Sequence, residues 1–133
     1  MKKPFIDNDK SKKHSVLIID DEKLSINVLV HILQRDYLLH TTKEGKIGVE
    51  IANEFLPDVI LLDIVMPDMD GFEALSLLKS SDRTKNIPVI IITGLRDGED
   101  IEKFAALGVA DYIFKPVNAA QVKEKVYAQV VKA

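Results

Sequence analysis

The sequence predicts an α/β fold in which a doubly wound, five-stranded parallel sheet is covered by five helices. Three observations point there. Short apolar runs alternate five times with segments of helical spacing. The runs are β-branched or leucine-rich and lack polar alternation, as strands do when helices cover both faces of a parallel sheet. With 133 residues, 47% of them hydrophobic, the chain suits one domain with a real core, and no repeat, low-complexity block or Pro/Gly-rich linker divides it.

Residues 1 to 13 are polar and aperiodic and read as a flexible leader, in which Phe5 and Ile6 are the apolar pair; the folded domain takes residues 14 to 133. Val16 to Ile19 forms the first strand, followed by a helix from about Leu24. A weaker strand at Tyr37 to Thr41 precedes a helix over Ile47 to Phe55, with Ile47, Ile51 and Phe55 on one stripe. Val59 to Leu62 leads to a helix at about Gly71 to Ser80, and Val89 to Ile92 leads to one at about Asp100 to Leu107. Tyr112 to Phe114 is the last strand, and the helix after Asn118 carries Val122, Val126 and Val130 on one stripe.

Composition excludes several classes. The leader lacks the apolar stretch of a signal peptide. The longest apolar runs, such as Val59 to Leu62, hold four residues, far short of the roughly 20 that cross a bilayer. A net charge of −3 argues against electrostatic affinity for nucleic acid or anionic lipid. Without cysteine there is no disulfide, thiolate nucleophile or sulfur metal site, which suits a reducing cytoplasm.

In open parallel sheets, ligands bind beyond the carboxyl ends of the strands. Here those ends carry Asp20 and Asp21, Asp63, Thr93 and Lys115. Carboxylates so gathered repel, by roughly 4 kcal/mol for two unit charges 4 Å apart at an effective dielectric near 20. Lys115 offsets one charge, and the all-oxygen remainder suits a hard divalent ion, magnesium above all. Ion, ammonium and the Thr93 hydroxyl together suit the oxygens of a transferring phosphoryl group, with a carboxylate as its acceptor.

The ordered set Asp20-Asp21, Asp63 within LLDIVMPDMDGFE, Thr93-Gly94 and Lys115-Pro116 resembles the receiver domains of two-component response regulators, over about Ser15 to Val131. The resemblance implies the flavodoxin-like strand order 2-1-3-4-5 and a phosphorylation-dependent signalling switch rather than a turnover enzyme. It implies that Asp63 accepts the phosphoryl group from a sensor histidine kinase or phosphotransfer protein. Asp21, Asp63 and the Val65 backbone carbonyl would bind magnesium, Asp20 would help through water, and Lys115 would contact the phosphoryl group. A cis Lys115–Pro116 peptide is implied as well. Thr93 and Tyr112 would form the switch, read out on the face of the fourth helix, last strand and last helix. The protein would be cytoplasmic, and a monomer or a weak homodimer strengthened by phosphorylation. No output domain follows Lys132-Ala133, so the chain reads either as a free-standing receiver or as part of a larger regulator or kinase. Val65 and Leu95 are apolar where many relatives place polar groups, which suggests a long-lived phosphoryl group.

Blander readings stand beside these. Asp20-Asp21 reads equally as a helix cap, Asp68 and Asp70 as turn and cap residues, and Thr93-Gly94 and Lys115-Pro116 as turns or loops. His14, His31 and His40 lack metal spacing, Tyr112 alone is an ordinary edge aromatic, and Met66 and Met69 are loop packing. A phosphohydrolase acting through an aspartyl phosphate would place an acid two residues after its nucleophile, where this chain has Val65. A flavodoxin-like cofactor binder would need a hydroxyl- and glycine-rich loop where Asp20 and Asp21 stand. A degenerate docking module would have lost some of the site residues, all of which are present.

Overall fold

A computed structural model describes residues 13–64, 69, 71–94 and 98–131, with backbone alone for 98–100. Its strands are β1 (Ser15–Ile19), β2 (Leu38–Thr42), β3 (Val59–Asp63), β4 (Val89–Thr93) and β5 (Asp111–Phe114). Its helices are α1 (Lys23–Leu33), α2 (Gly45–Phe55), α3 (Gly71–Ser80), α4 (Gly98–Ala106) and α5 (Ala119–Val130). The strands form one sheet in the order β2-β1-β3-β4-β5, every pair parallel. The expected fold class is therefore present.

The unbroken apolar runs have a simple cause. Successive strand residues face opposite sides, and both sides are covered. Leu17, Ile19, Ile60, Leu62, Val89 and Ile91 pack under α2, α3 and α4 through Ala52, Leu75, Leu78 and Phe104. Val16, Ile18, Val59, Leu61, Ile90 and Ile92 pack under α1 and α5 through Leu29, Leu33, Val122 and Val126. The two edge strands are less covered: Leu38 of β2 is exposed, and in β5 Ile113 alone is buried.

Two details differ from the sequence reading. The buried face of α2 is Gly45, Gly48 and Ala52, while Ile47 and Phe55 of the expected stripe stay partly exposed. The helix lies so close to β1 that a methyl at Gly48 would overlap the Ile19 side chain, so small residues face the sheet. Phe55 instead stacks on His40 of β2, with ring centroids 4.7 Å apart. Helix α4 begins at Gly98, two residues before the expected Asp100. The α5 stripe of Val122, Val126 and Val130 is buried as expected, and Asn118 caps that helix by accepting from the Gln121 N–H at 3.0 Å.

Register sets the strand ends. Asp63 pairs with Ile92 and Thr93 with Phe114, so the carboxyl ends of β3, β4 and β5 lie side by side, next to that of β1. Among the described residues, no helix is long and apolar enough to cross a membrane. The leader's Phe5 and Ile6, and Val65, Met66, Asp68, Asp70 and Leu95, lie outside the described residues.

Candidate functional site

Asp20 leaves the end of β1 with its backbone N–H donating to Thr42 O of β2 at 3.1 Å, which fixes the strand end. Its Oδ1 accepts from the Glu22 N–H at 2.9 Å, a local turn before the helix rather than a helix cap. The N-cap of α1 is Glu22, however, and no side chain caps that helix. Asp20 is 1% exposed, and its buried Oδ2 has no hydrogen-bond partner. That oxygen lies 3.4 Å from Lys115 Nζ, within ionic reach but without hydrogen-bond geometry. A buried carboxylate oxygen in this condition is costly unless a ligand completes it.

Asp63 ends β3, 5% exposed, with Oδ2 3.4 Å from the same ammonium. Asp20, Asp21 and Asp63 each offer an oxygen within 4.8 Å of the others. The set is all carboxylate, which fits magnesium or another hard divalent ion. The strand ends thus bring these three acids together. The fourth expected ligand, the Val65 carbonyl, lies outside the described residues.

Lys115 follows β5, where its N–H donates to Thr93 O at 2.8 Å and its peptide bond to Pro116 is cis. Its side chain is 24% exposed. Burial alone would lower the pKa of this ammonium, but the charges of Asp63 and Asp20 and the hydrogen bond it donates to Glu22 outweigh burial and raise it. Lysine is thus held charged at the site. Thr93 is 2% exposed at the end of β4. Tyr112 packs against the α2–α3–α4 side of the core and donates its hydroxyl to Ile101 O of α4 at 2.8 Å, which ties β5 to that helix.

One participant escaped sequence reasoning. Glu22 Oε1 lies 3.4 Å from Lys115 Nζ and accepts from Ser25 Oγ at 3.1 Å. The Ser25 hydrogen bond first, and Lys115 second, lower its pKa. The only signal was a third consecutive acid after Asp20 and Asp21. Beside it opens a cleft of about 280 Å³ floored by Asp20 and Lys115 and walled by Leu24, Val28, Leu29 and Val117. Of the histidines, His14 lies 3.5 Å from Asp58, and His40 stacks on Phe55.

Residues 16–127 match the family model described as the response regulator receiver domain. The chain belongs to this family. Such domains are the phosphoacceptor switches of two-component signalling. The receiver is 36% identical over 116 residues to a probable cyclic di-GMP phosphodiesterase of Vibrio cholerae, covering 87% of this chain and 26% of that protein. It is 31% identical to the polar-differentiation response regulator DivK of Brucella anthropi, covering 84% of this chain and 92% of that one. Among solved structures, Vibrio cholerae chemotaxis protein CheY4 superposes with a TM-score of 0.81 at 27% identity, covering 90% of this chain and 99% of that one. The chain spans about a quarter or less of the phosphodiesterase, of histidine kinase P4 of Formosa agariphila and of response regulator PleD of Caulobacter vibrioides.

Proposed function

We propose that the chain is a receiver domain, residues 14 to 133, that accepts a phosphoryl group on Asp63 in a magnesium-dependent reaction and passes the change to a partner or output domain. The observation that carries this reading is the pairing of a buried Asp63 with one shared ammonium, beside an Asp20 oxygen that no donor satisfies. An Asp63 carboxylate oxygen attacks the phosphorus of a phosphohistidine on a sensor kinase or phosphotransfer protein. The O–P bond of an acyl phosphate forms as the P–N bond breaks, and the imidazole leaves with the electron pair and takes up a proton. Lys115 and the Thr93 hydroxyl bind the transferred oxygens. Asp20, Asp21, Asp63 and the Val65 carbonyl would hold magnesium, which supplies charge neutralisation to the phosphoryl oxygens.

Thr93 and Tyr112 form the switch. When Thr93 turns to a phosphoryl oxygen, the tyrosine ring follows into the vacated space and gives up its bond to Ile101 O, so the face of α4, β5 and α5 changes. That face is where a partner docks or a weak, phosphorylation-enhanced homodimer forms. The domain works in the cytoplasm with a histidine kinase, has only intrinsic autophosphorylation and autodephosphorylation, and makes no direct contact with nucleic acid or membrane. Relatives of which it spans about a quarter or less, a phosphodiesterase and a kinase among them, support a module whose output lies in other domains.

Acetyl phosphate tests this directly, with and without magnesium, on wild type and Asp63→Asn. The expected result is a magnesium-dependent gain of one phosphate, about 80 Da by intact mass, absent from the variant. No gain on wild type under any condition overturns the reading.

A further inference from the structure

Glu22 has no part in the site residues assigned above, yet it is bound to them twice. Its N–H donates to Asp20 Oδ1 at 2.9 Å, and its Oε1 stands 3.4 Å from Lys115 Nζ. As the N-cap residue of α1 it makes no side-chain cap; Ser25 Oγ instead donates to Oε1 at 3.1 Å, which turns the carboxylate toward the lysine. Lys115 Nζ is 3.4 Å from Asp20 Oδ2, Asp63 Oδ2 and Glu22 Oε1 alike. All three distances exceed the roughly 2.7–2.9 Å of a committed charge-assisted bond. The ammonium is therefore suspended among three acceptors. Two of them are the buried acids of the phosphoryl site, and the third is 64% exposed at its mouth.

We propose that Glu22 is a positioning residue that retains Lys115 at the mouth of the unphosphorylated site, and that the ammonium must leave it before binding the phosphoryl oxygens, so that Glu22 slows phosphoryl acceptance. This rests on the phosphoacceptor reading of Asp63. Asp20 and Asp63 would be engaged by a bound divalent ion, which would leave Glu22 as the main competitor of the incoming group for Lys115. Simple repulsion of an anionic donor by the Glu22 carboxylate predicts a different variant series.

Wild type, Glu22→Gln and Glu22→Asp are compared for initial rates of mass gain with acetyl phosphate at saturating magnesium, with unfolding temperatures confirming intact folds. Aspartate keeps the charge but is one methylene shorter and is drawn to the α1 backbone as an ordinary N-cap, so it cannot hold Lys115. Both variants are expected to accept phosphate faster, by up to about fivefold, the worth of an exposed ion pair. Wild-type rates in both overturn the proposal. So does acceleration in Glu22→Gln with Glu22→Asp at the wild-type rate, because repulsion then suffices. The Lys115 ammonium resonance of nitrogen-labelled protein, assigned by its loss in Lys115→Arg, supplies a readout independent of phosphorylation. It is expected to shift in both variants without donor, and an unchanged resonance overturns the proposal. Absent mass gain on wild type would instead overturn the phosphoacceptor reading.

Discussion

At Lys115 one ammonium faces three carboxylates, and each of those contacts joins parts of the chain far apart in sequence. The acids at the strand ends were legible because a parallel sheet delivers every strand's carboxyl end to one edge. Glu22 was not, since the reach of a long side chain depends on a loop 93 residues away. Val65, two residues after Asp63, offers no polar group to orient a hydrolytic water. Val65→Asn is expected to shorten the Asp63 phosphate half-life, measured by loss of the added mass after donor removal; a longer half-life in the variant would refute this. Tyr112 yields a second prediction. Burial raises its pKa above the ordinary phenol value of about 10. The folded protein therefore keeps this proton longer than the unfolded chain, and the stabilisation is whole below pH about 10 and lost as pH rises through the raised value. Tyr112→Phe loses the bond to Ile101 O and should be about 0.5–1.5 kcal/mol less stable at neutral pH. The gap should narrow above pH about 10 in urea unfolding, because only wild type carries the alkaline loss; a constant gap would contradict the assignment.

Among the elements, α2 and α3 show how backbone proximity overrides a hydrophobic stripe. Ile47, Ile51 and Phe55 have the spacing of a buried face, yet Gly48 and Ala52 meet the sheet, because the approach of α2 to Ile19 leaves no room for a larger residue. Nothing in a single helix's pattern reports the distance to its neighbour. At the start of α3, Gly71 donates its N–H to Ile64 O at 2.9 Å, and a methyl there would overlap the Ile64 backbone rather than a side-chain tip. Backbone cannot rotate away. Gly71→Ala is therefore expected to destabilise by about 1–3 kcal/mol or more, as overpacking does. Gly48→Ala should cost less, because the methyl meets the Ile19 side chain and not backbone. Chemical denaturation of both variants checks the order, and the reverse order would mean that α3 can shift away from β3.

For the whole molecule, the acid cluster sets stability against function. Two buried carboxylates and the half-exposed Asp21 converge on one edge of an otherwise well-packed sheet. At 4.8 Å, the widest separation of the three oxygens, two unit charges oppose folding by roughly 3–4 kcal/mol at an effective dielectric near 20, before solvent screening and Lys115 reduce it. A fold would not keep such repulsion for its own stability. If the cluster holds magnesium, the ion should stabilise the folded protein by mass action, about 2.7 kcal/mol at a hundredfold excess over its dissociation constant. Asp21→Asn separates the two effects, because Asp21 is the most exposed of the three and its removal leaves the buried pair and Lys115 in place. Without magnesium the variant should melt higher than wild type, by about 3–5 °C for each kcal/mol of repulsion relieved in a domain of this size. With saturating magnesium wild type should overtake it, since the variant has lost a charged ligand. Scanning calorimetry across a magnesium titration reads both arms. An equal magnesium-dependent rise in the two proteins would remove Asp21 from the ion site, and a lower melting temperature without magnesium would show that its carboxylate stabilises the resting fold.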